Sequence, residues 1–297
     1  MCMAEKDLTE KILLSYNDVF ADIVNTLVFH GEDRVSPSSL QDRIVHSQYK
    51  ADTGVLHEEE RDVFKVWENC GVEIALCGIE NQTVPYHLMP GRVIGYDGAS
   101  YRNQILEKGR KRLTPVVTMV LYFGMEHWNQ PTSLKGLFGS YPQELGEYIS
   151  DYKINVFEVA WFTEDVISEF KSDFKVVANF FSKKRLYGED YVPDDPQVLV
   201  HVDAVLKLLS VMTGDSNYAS ILSPQEERRN ISMCEVAEKL INKGISQGIS
   251  QGISQGITQG RNQERADNIA TITRNLMARD PSLSKSEAEQ RAKDLLK

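Results

Sequence analysis

The sequence predicts an α/β fold in which a mixed β-sheet is flanked by helices and is followed by a helical C-terminal region. Three observations predict this class. Short segments rich in apolar and β-branched residues indicate strands, and longer segments with apolar residues at i, i+3 and i+4 indicate helices. These segments follow the order helix, strand, strand, helix, strand, strand, which suits a compact α/β core. From residue 164 onward the periodicity is that of helices alone.

Each element follows from its local pattern. The opening helix carries an apolar stripe at helical spacing, formed by Val19, Phe20, Ile23, Val24, Leu27 and Val28. Pro90 and Gly91 interrupt the chain before the second helix. The predicted helices are 9–30, 92–107, 164–184 and 195–212, and the predicted strands are 62–67, 72–79, 113–122 and 153–162.

Two acidic residues and an amide are predicted to converge at the end of a β-hairpin. A three-residue loop at residues 69–71 would set Asp62 opposite Gly78, and therefore diagonal to Glu80 on one face. Gln82 shares that face with Glu80 because strand side chains alternate with period two. Hard cations such as Mg²⁺ bind one or two carboxylates together with water and phosphate oxygens. The pattern therefore predicts a metal centre that acts on phosphates.

This pattern resembles the PD-(D/E)XK nuclease superfamily in its E-x-Q variant. The surrounding motifs are similar to those of the Rpn or YhgA-like group of recombination-promoting nucleases, which are also described as transposases. The matching stretches lie, in the order of the family, at residues 17–25, 60–62, 78–82, 89–92, 96–101, 116–122 and 155–161. They cover roughly the first two thirds of the chain. The chain departs from the superfamily pattern at Gln82, where Lys is commoner, and in lacking Pro before Asp62.

The resemblance implies a restriction-endonuclease-like core and a metal-dependent DNA endonuclease that hydrolyses phosphodiester bonds in recombination or mobile-element movement. Asp62 and Glu80 would hold Mg²⁺ or Mn²⁺, with the backbone carbonyl of Asn81 as a further ligand. Gln82 would position the attacking water. The resemblance also implies Asp22 as an additional catalytic acid, whereas a helical wheel places Asp22 off the apolar stripe as a solvated residue.

The net negative charge of the chain restricts how it can bind DNA. A formal net charge of −10 excludes a protein that coats nucleic acid by bulk electrostatics. DNA contact would need local cations, and Arg92, at the predicted start of a helix, is one candidate. A basic cluster just after the predicted site is the other, formed by Lys108, Arg110, Lys111 and Arg112. Lys183, Lys184 and Arg185 form a further candidate cluster, less favoured than the first, and solvated surface charge is the alternative for both clusters.

Cysteine usage and hydropathy predict a cytoplasmic protein with no membrane-spanning segment. The four cysteines have no C-x-x-C spacing, so neither a zinc site nor a disulfide framework is predicted. The longest apolar stretch, residues 116–123, is too short to span a bilayer. The first residues lack the basic and then apolar layout of a signal peptide. None of the six histidines has a recognisable ligand spacing, and we expect His127 to be structural.

Residues 244–260 form a low-complexity tract built from the unit Gly-Ile-Ser-Gln, with Thr replacing Ser in the last unit. The period of four keeps its isoleucines near one helix face, but five glycines would cost about 4–5 kcal/mol in a helix interior. The tract is therefore either a flexible linker or a helix that a partner helix approaches closely, as in a homo-oligomer. The predicted divisions are a nuclease-like domain at 1–215, a repeat region at 216–260 and a helical hairpin at 261–297. Ser284 and Glu287 form a capping-box pattern in that hairpin.

Three functional classes remain open. The leading class is the metal-dependent DNA endonuclease. The second is a nuclease-derived protein that binds nucleic acid or assembles but no longer cuts, which Gln82 would explain. The third is an unrelated α/β interaction protein in which Asp62 and Glu80 are solvated strand ends.

Overall fold

The computed structural model describes residues 12–42, 47–50, 56–59, 63–68, 72–79, 85–188, 191–222 and 231–296, without the side chains of 47–50, 56–59 and 75–79. Asp62, Glu80, Asn81 and Gln82 lie outside the described residues. The chain divides into two compact units, Met1–Ala237 and Glu238–Lys297.

A mixed sheet forms the centre of the first unit. The described strands are β1 (Leu40–Asp42), β2 (Ser47–Lys50), β3 (Leu56–Glu59), β4 (Val63–Trp67), β5 (Val72–Ile79), β6 (Val116–Tyr122) and β7 (Asn155–Glu158). Five of them form one sheet in the order β1-β4-β5-β6-β7, while β2 and β3 pair separately. β1, β4 and β5 are antiparallel neighbours, whereas β5, β6 and β7 run parallel. This sheet confirms the predicted α/β class.

Helices cover both faces of the sheet. The described α-helices are α1 (Asn17–Phe29), α2 (Met89–Leu106), α3 (Glu164–Glu169), α4 (Phe174–Tyr187), α5 (Val202–Thr213), α6 (Asn217–Ser220), α7 (Met233–Arg279) and α8 (Lys285–Leu295). On one face, Val120 packs with Met89, Val93 and Tyr96 of α2. On the other face, Phe20 of α1 lies under Lys65, whose Nζ is 5.7 Å from the ring centroid. Lys65 pairs with Ile74 of β5, and Ile74 pairs with Val117 of β6. Val117 lies three residues before Val120 and strand side chains alternate between faces, so Lys65 and Val120 lie on opposite faces of the sheet.

The structure changes several predicted element bounds. The opening helix bends at Tyr16, so that α1 begins at Asn17. Pro90 does not interrupt α2 but lies in its first turn, where a missing backbone N–H costs nothing. The helix predicted at 164–184 is two helices, α3 and α4, separated by a turn at residues 170–173. β1, β2 and β3 were not predicted, because strands of three or four largely polar residues leave no apolar alternation.

The second unit contains nearly all of α7 and the whole of α8. α7 continues without interruption through the Gly-Ile-Ser-Gln tract, so the tract is helical rather than a flexible linker. The predicted break at residues 280–281 is confirmed, and α8 starts with the predicted capping box between Ser284 and Glu287. Ala288 and Ala292 of α8 are fully buried. Within the described parts of the chain, no helix is both long enough and apolar enough to cross a membrane.

Candidate functional site

The parallel strands end together at one side of the sheet, which we call the carboxyl edge. Its position is marked by Ile79, Tyr122 and Glu158, which lie beside one another at the ends of β5, β6 and β7. β4 runs in the opposite direction and therefore begins at this same edge, with Val63 opposite Leu76. In open α/β sheets, ligands commonly bind outside the carboxyl ends of the strands. The carboxyl edge is therefore the expected position of a site.

The register of the β4–β5 hairpin differs from the predicted one by one residue. The prediction set Asp62 opposite Gly78, which requires Val63 opposite Cys77, but Val63 lies opposite Leu76. The ladder ends at Trp67 opposite Val72, and the backbone N–H of Glu68 donates to Ser39 O on the side of β1 at 3.0 Å. A shift of one residue exchanges the two faces of a strand. The predicted convergence of Asp62 with Glu80 itself concerns residues outside the described ranges and stays a prediction.

Glu158 fixes the loop that follows β6 at the carboxyl edge. One of its carboxylate oxygens accepts the backbone N–H of Trp128, and the other lies 3.1 Å from Nδ1 of His127. Because an ionised carboxylate only accepts hydrogen bonds, Nδ1 carries the proton that is donated to Glu158. Nε2 is the other ring nitrogen and is not used in this hydrogen bond. The His127 side chain is 62% exposed, so Nε2 is accessible to solvent.

Trp161 lies shortly after β7, and two side chains pack against its ring. The His127 ring stacks on it with a centroid separation of 3.5 Å and an interplanar angle of 23°. The guanidinium carbon of Arg185, from the last turn of α4, lies 4.0 Å from the indole on a cation–π contact. Arg185 Nε also donates to the carbonyl of Ala160 at 2.7 Å. The indole thus holds an imidazole and a guanidinium next to the carboxyl edge.

Tyr122 is a buried residue that lies beside Trp128 and near Glu158. Its ring meets Trp128 edge-on at a centroid distance of 5.3 Å, and its side chain is buried. Burial raises the pKa of the Tyr122 hydroxyl, and the negative charges of Glu158 and Glu126 raise it further. The chain passes so close to this ring that a Cβ at Gly124 would lie 2.0 Å from the hydroxyl oxygen. Tyr122 is therefore a protonated, tightly enclosed side chain.

Arg92 lies in the first turn of α2. Since α2 connects the end of β5 to the start of β6, its N-terminus is on the side of the carboxyl edge. Arg92 Nε donates to the hydroxyl of Tyr96 at 2.5 Å, and its guanidinium lies 5.5 Å from the Tyr96 ring centroid. Arg92 is therefore supported by Tyr96 at the helix end that lies on the side of the carboxyl edge, and its contact with phosphate stays a prediction.

The basic cluster at residues 108–112 lies at the opposite side of the sheet. It follows the C-terminus of α2 and precedes Val116, which pairs with Glu73 near the start of β5. The six residues from Glu73 to Ile79 span about 20 Å of strand, so the expected proximity to the end of β5 was wrong. Arg110 is held by Glu107, Gln104 and Thr114, which fixes the loop before β6. Lys111 and Arg112 are exposed.

Asp22 is buried rather than solvated, so the helical-wheel expectation was wrong. Its side chain is 8% exposed, and its carboxylate accepts the backbone N–H groups of Lys171 and Ser172 at 2.7–3.1 Å. The wheel considers one helix, and the turn before α4 covers the polar side of α1. In the structure Asp22 therefore holds this turn, a role that a single-helix pattern does not predict.

Most of the cluster around Trp161 was not predicted from the sequence. His127 was expected to be structural, whereas Arg185 belonged to the basic cluster at residues 183–185, for which DNA contact and solvated surface charge were both left open. The available signal was position, because Glu158 and Trp161 end or follow a parallel strand and His127 follows the neighbouring one. Within the described ranges, no group of three or more His, Cys, Asp or Glu residues is arranged to hold a metal ion. The predicted metal ligands Asp62, Glu80 and Asn81 fall outside those ranges.

Comparison with known proteins gives one family. Residues 56–192 match the family described as "Putative transposase, YhgA-like", which includes β3 to β7, α2, α3 and α4. This match confirms the resemblance inferred from the motifs. Neither the curated proteins nor the solved structures contain a significant match to the chain.

Proposed function

Since residues 56–192 match the family of YhgA-like putative transposases, we propose that the chain is a metal-dependent DNA endonuclease that hydrolyses phosphodiester bonds. Its reaction would serve recombination or mobile-element movement, in agreement with the transposase description of the family. A cytoplasmic location is part of the proposal, because DNA is its substrate.

The observation that carries the proposal is the layout of the carboxyl edge within the matched segment. β4 begins at this edge and β5 ends at it, so the chain leaves the described ladder at neighbouring points. The next residues along the chain are Asp62, before Val63, and Glu80, after Ile79. Acidic residues at both points provide the oxygen ligands that a hard divalent cation takes.

Each residue of the motif would have a distinct role. Asp62, Glu80 and the backbone carbonyl of Asn81 would hold Mg²⁺, or Mn²⁺ in its place. The bound metal would make a water more acidic and neutralise charge on the phosphate. Gln82 would orient that water through its side-chain oxygen. Arg92 would contact the scissile phosphate, since its planar guanidinium can donate two parallel hydrogen bonds.

A catalytically inactive protein that binds nucleic acid or assembles with other chains is the second candidate. Two observations favour it. Gln82 carries no charge, so it cannot stabilise a hydroxide or an anionic leaving group as a lysine would. The observed hairpin register also differs by one residue from the register that would bring Asp62 towards Glu80.

The Gly-Ile-Ser-Gln tract would assemble two copies of the chain. Its isoleucines are exposed to between 52% and 59%, and a Cβ at any of its five glycines would meet no atom within 4 Å. Glycines four residues apart let two helices approach closely, and the i±4 rows of two such helices pack at a crossing angle of about −50°. Residues 244–260 contain no charged side chain, so two negatively charged copies meet there without like-charge repulsion.

A plasmid-nicking assay tests the proposed activity. Purified full-length protein is incubated with supercoiled plasmid in Mg²⁺, in Mn²⁺ and in EDTA, beside the variants Asp62→Ala and Glu80→Ala. We expect nicking by the wild type with either metal and none in EDTA. Both variants should be folded and inactive, because each lacks one carboxylate ligand. Wild-type rates in both variants would show that the assigned site is wrong.

A further inference from the structure

We propose that Arg185 and His127, which both pack against the ring of Trp161, form a contact site for a nucleic-acid phosphate at the carboxyl edge. The inference rests on the proposed function and deepens it, because it names side chains that would hold the strand beside the cutting site. We call these three residues the indole stack.

Arg185 presents its guanidinium in a fixed orientation. Nε donates to the carbonyl of Ala160 at 2.7 Å, and the guanidinium plane is supported by the indole at 4.0 Å. Within the described part of the chain, the two terminal nitrogens have no hydrogen bond or ion pair. A guanidinium held in this way is prepared to donate two parallel hydrogen bonds to a phosphate, with little side-chain entropy left to lose.

His127 packs on the same indole and offers a second donor when its imidazole is protonated on both nitrogens. Nδ1 is bound to Glu158, which is itself anchored by the backbone N–H of Trp128. Nε2 is therefore held outward on an exposed side chain. When the imidazole carries a second proton, Nε2 can donate to a phosphate oxygen while Nδ1 stays on Glu158.

The contacts of Trp161 indicate which part of a nucleic acid would bind here. Imidazole and guanidinium already pack against the indole, so they compete with a nucleobase for its ring. The guanidinium of Arg185 and the imidazolium form of His127 offer hydrogen-bond donors, which suit a phosphate. The carboxylate of Glu158 is bound by His127 and Trp128, which reduces its repulsion of a phosphate.

The charge of the chain also favours this position. A protein with a net charge of −10 must concentrate its cations where phosphates lie. Of the basic run in the last turns of α4, Lys183 is paired with Asp194 at 2.8 Å, whereas Arg185 lies on the indole beside the carboxyl edge. Lys183 is therefore a matched control for the loss of one positive charge from the same helix.

The test measures binding without cleavage. A short fluorescein-labelled DNA duplex is titrated with full-length protein in EDTA, and anisotropy gives the affinity over a range of salt concentrations. The variants are Arg185→Gln, Arg185→Lys, His127→Gln and the controls Lys183→Gln and His87→Gln. His87 is an exposed histidine whose Nδ1 meets Gln130, outside the indole stack. Circular dichroism verifies that each variant is folded.

We expect Arg185→Gln to weaken binding at least about tenfold, as for removal of a charged hydrogen bond. The slope of log affinity against log salt should fall by about 0.9, because the variant neutralises one phosphate fewer. Arg185→Lys should recover only part of the affinity, because an ammonium lacks the planar fork. His127→Gln should weaken binding as well, which keeps the test decisive if Arg185→Gln does not fold. Both controls should bind like the wild type.

The inference is overturned if Arg185→Gln and His127→Gln keep the affinity and salt slope of the wild type, or if Lys183→Gln weakens binding equally. Wild-type protein that does not bind the duplex in EDTA also overturns it. Failure of the proposed function gives a different result, in which the plasmid is not nicked but binding still depends on Arg185. The two failures are therefore distinguishable.

Discussion

The carboxylate of Asp22 in α1 accepts the backbone N–H of Lys171, 149 residues later in the chain, at 2.9 and 3.1 Å. A third bond, from the N–H of Ser172 at 2.7 Å, completes the contact. A side chain from the first helix thus fixes the turn from which α4 starts. This relationship separates a structural role for Asp22 from the catalytic role that the family resemblance implies.

Asp22→Asn is expected to lower the free energy of unfolding by about 1–3 kcal/mol, because the new amide group has one acceptor oxygen in place of the two that bind these N–H groups. Urea denaturation measures the change. The control is Asp33→Asn, which removes an exposed ion pair with Lys171 and should cost less than about 1 kcal/mol. Loss of nicking with unaltered stability would instead establish Asp22 as catalytic.

Gly124→Ala should destabilise the protein, because its Cβ would lie 2.0 Å from the hydroxyl oxygen of Tyr122, which is buried and cannot move away freely. Overpacking of this kind costs about 1–3 kcal/mol. Gly139→Ala is the matched control, since no atom lies within 4 Å of its Cβ position. Thermal unfolding of both variants gives the comparison, and equal melting temperatures would contradict the close packing of Gly124 against Tyr122.

Gln82→Lys restores the commoner residue of the superfamily motif. We expect the variant to nick DNA within about tenfold of the wild-type rate, a barrier change of roughly 1.4 kcal/mol. The rates are measured with supercoiled plasmid in Mg²⁺. Activity in the variant beside an inactive wild type would favour the second candidate, in which Gln82 accounts for the absence of catalysis.

Association of two copies through the Gly-Ile-Ser-Gln tract should persist when four residues are deleted but should weaken when one residue is inserted. Deleting residues 248–251 keeps the glycine and isoleucine rows continuous, so association of two copies should persist. Inserting a single alanine after Gln251 rotates the following residues by about 100° and should weaken association. Sedimentation measures the mass of both variants. Equal masses for these two variants would exclude a packing role for the rows.

Tyr218 should make stability sensitive to alkaline pH. Burial raises its pKa from 10.0 to about 12, and Asp215 adds to the shift. Because the folded-state pKa is raised, the contribution is fully present below pH 10 and is lost as the pH rises towards 12. Tyr218→Phe should remove this pH dependence, which amounts to at most about 3 kcal/mol. Urea titrations at several alkaline pH values test it, and parallel curves for both proteins would contradict the shift.

The central strands could be predicted because burial leaves an apolar, β-branched pattern in the sequence. The register of the β4–β5 hairpin could not, since the apolar pattern does not record whether Trp67 or Glu68 pairs with Val72. Asp22 was misassigned because the turn that buries it is distant in sequence. Local patterns record which residues are apolar, but they do not record which distant backbone groups need a partner.

The indole stack could not be predicted from local sequence patterns either. Its members come from the loop after β6, the turn after β7 and the end of α4. Each residue type occurs commonly on protein surfaces, and the parallel arrangement of β6 and β7 together with the end of α4 brings them together. The position of Arg92 at a helix start could be predicted because the helix follows β5 in the chain, whereas its contact with phosphate stays a prediction.

Helix geometry gives the repeat tract a further property. Each Gly-Ile-Ser-Gln unit contributes about 6 Å of length and about 40° of rotation beyond a full turn. A chain with one unit more or one unit fewer would therefore move Arg261 relative to Lys243 by a fixed step, while its exposed rows stay continuous. The number of units would act as a molecular ruler, and changes in that number would adjust spacing within the second unit in equal increments.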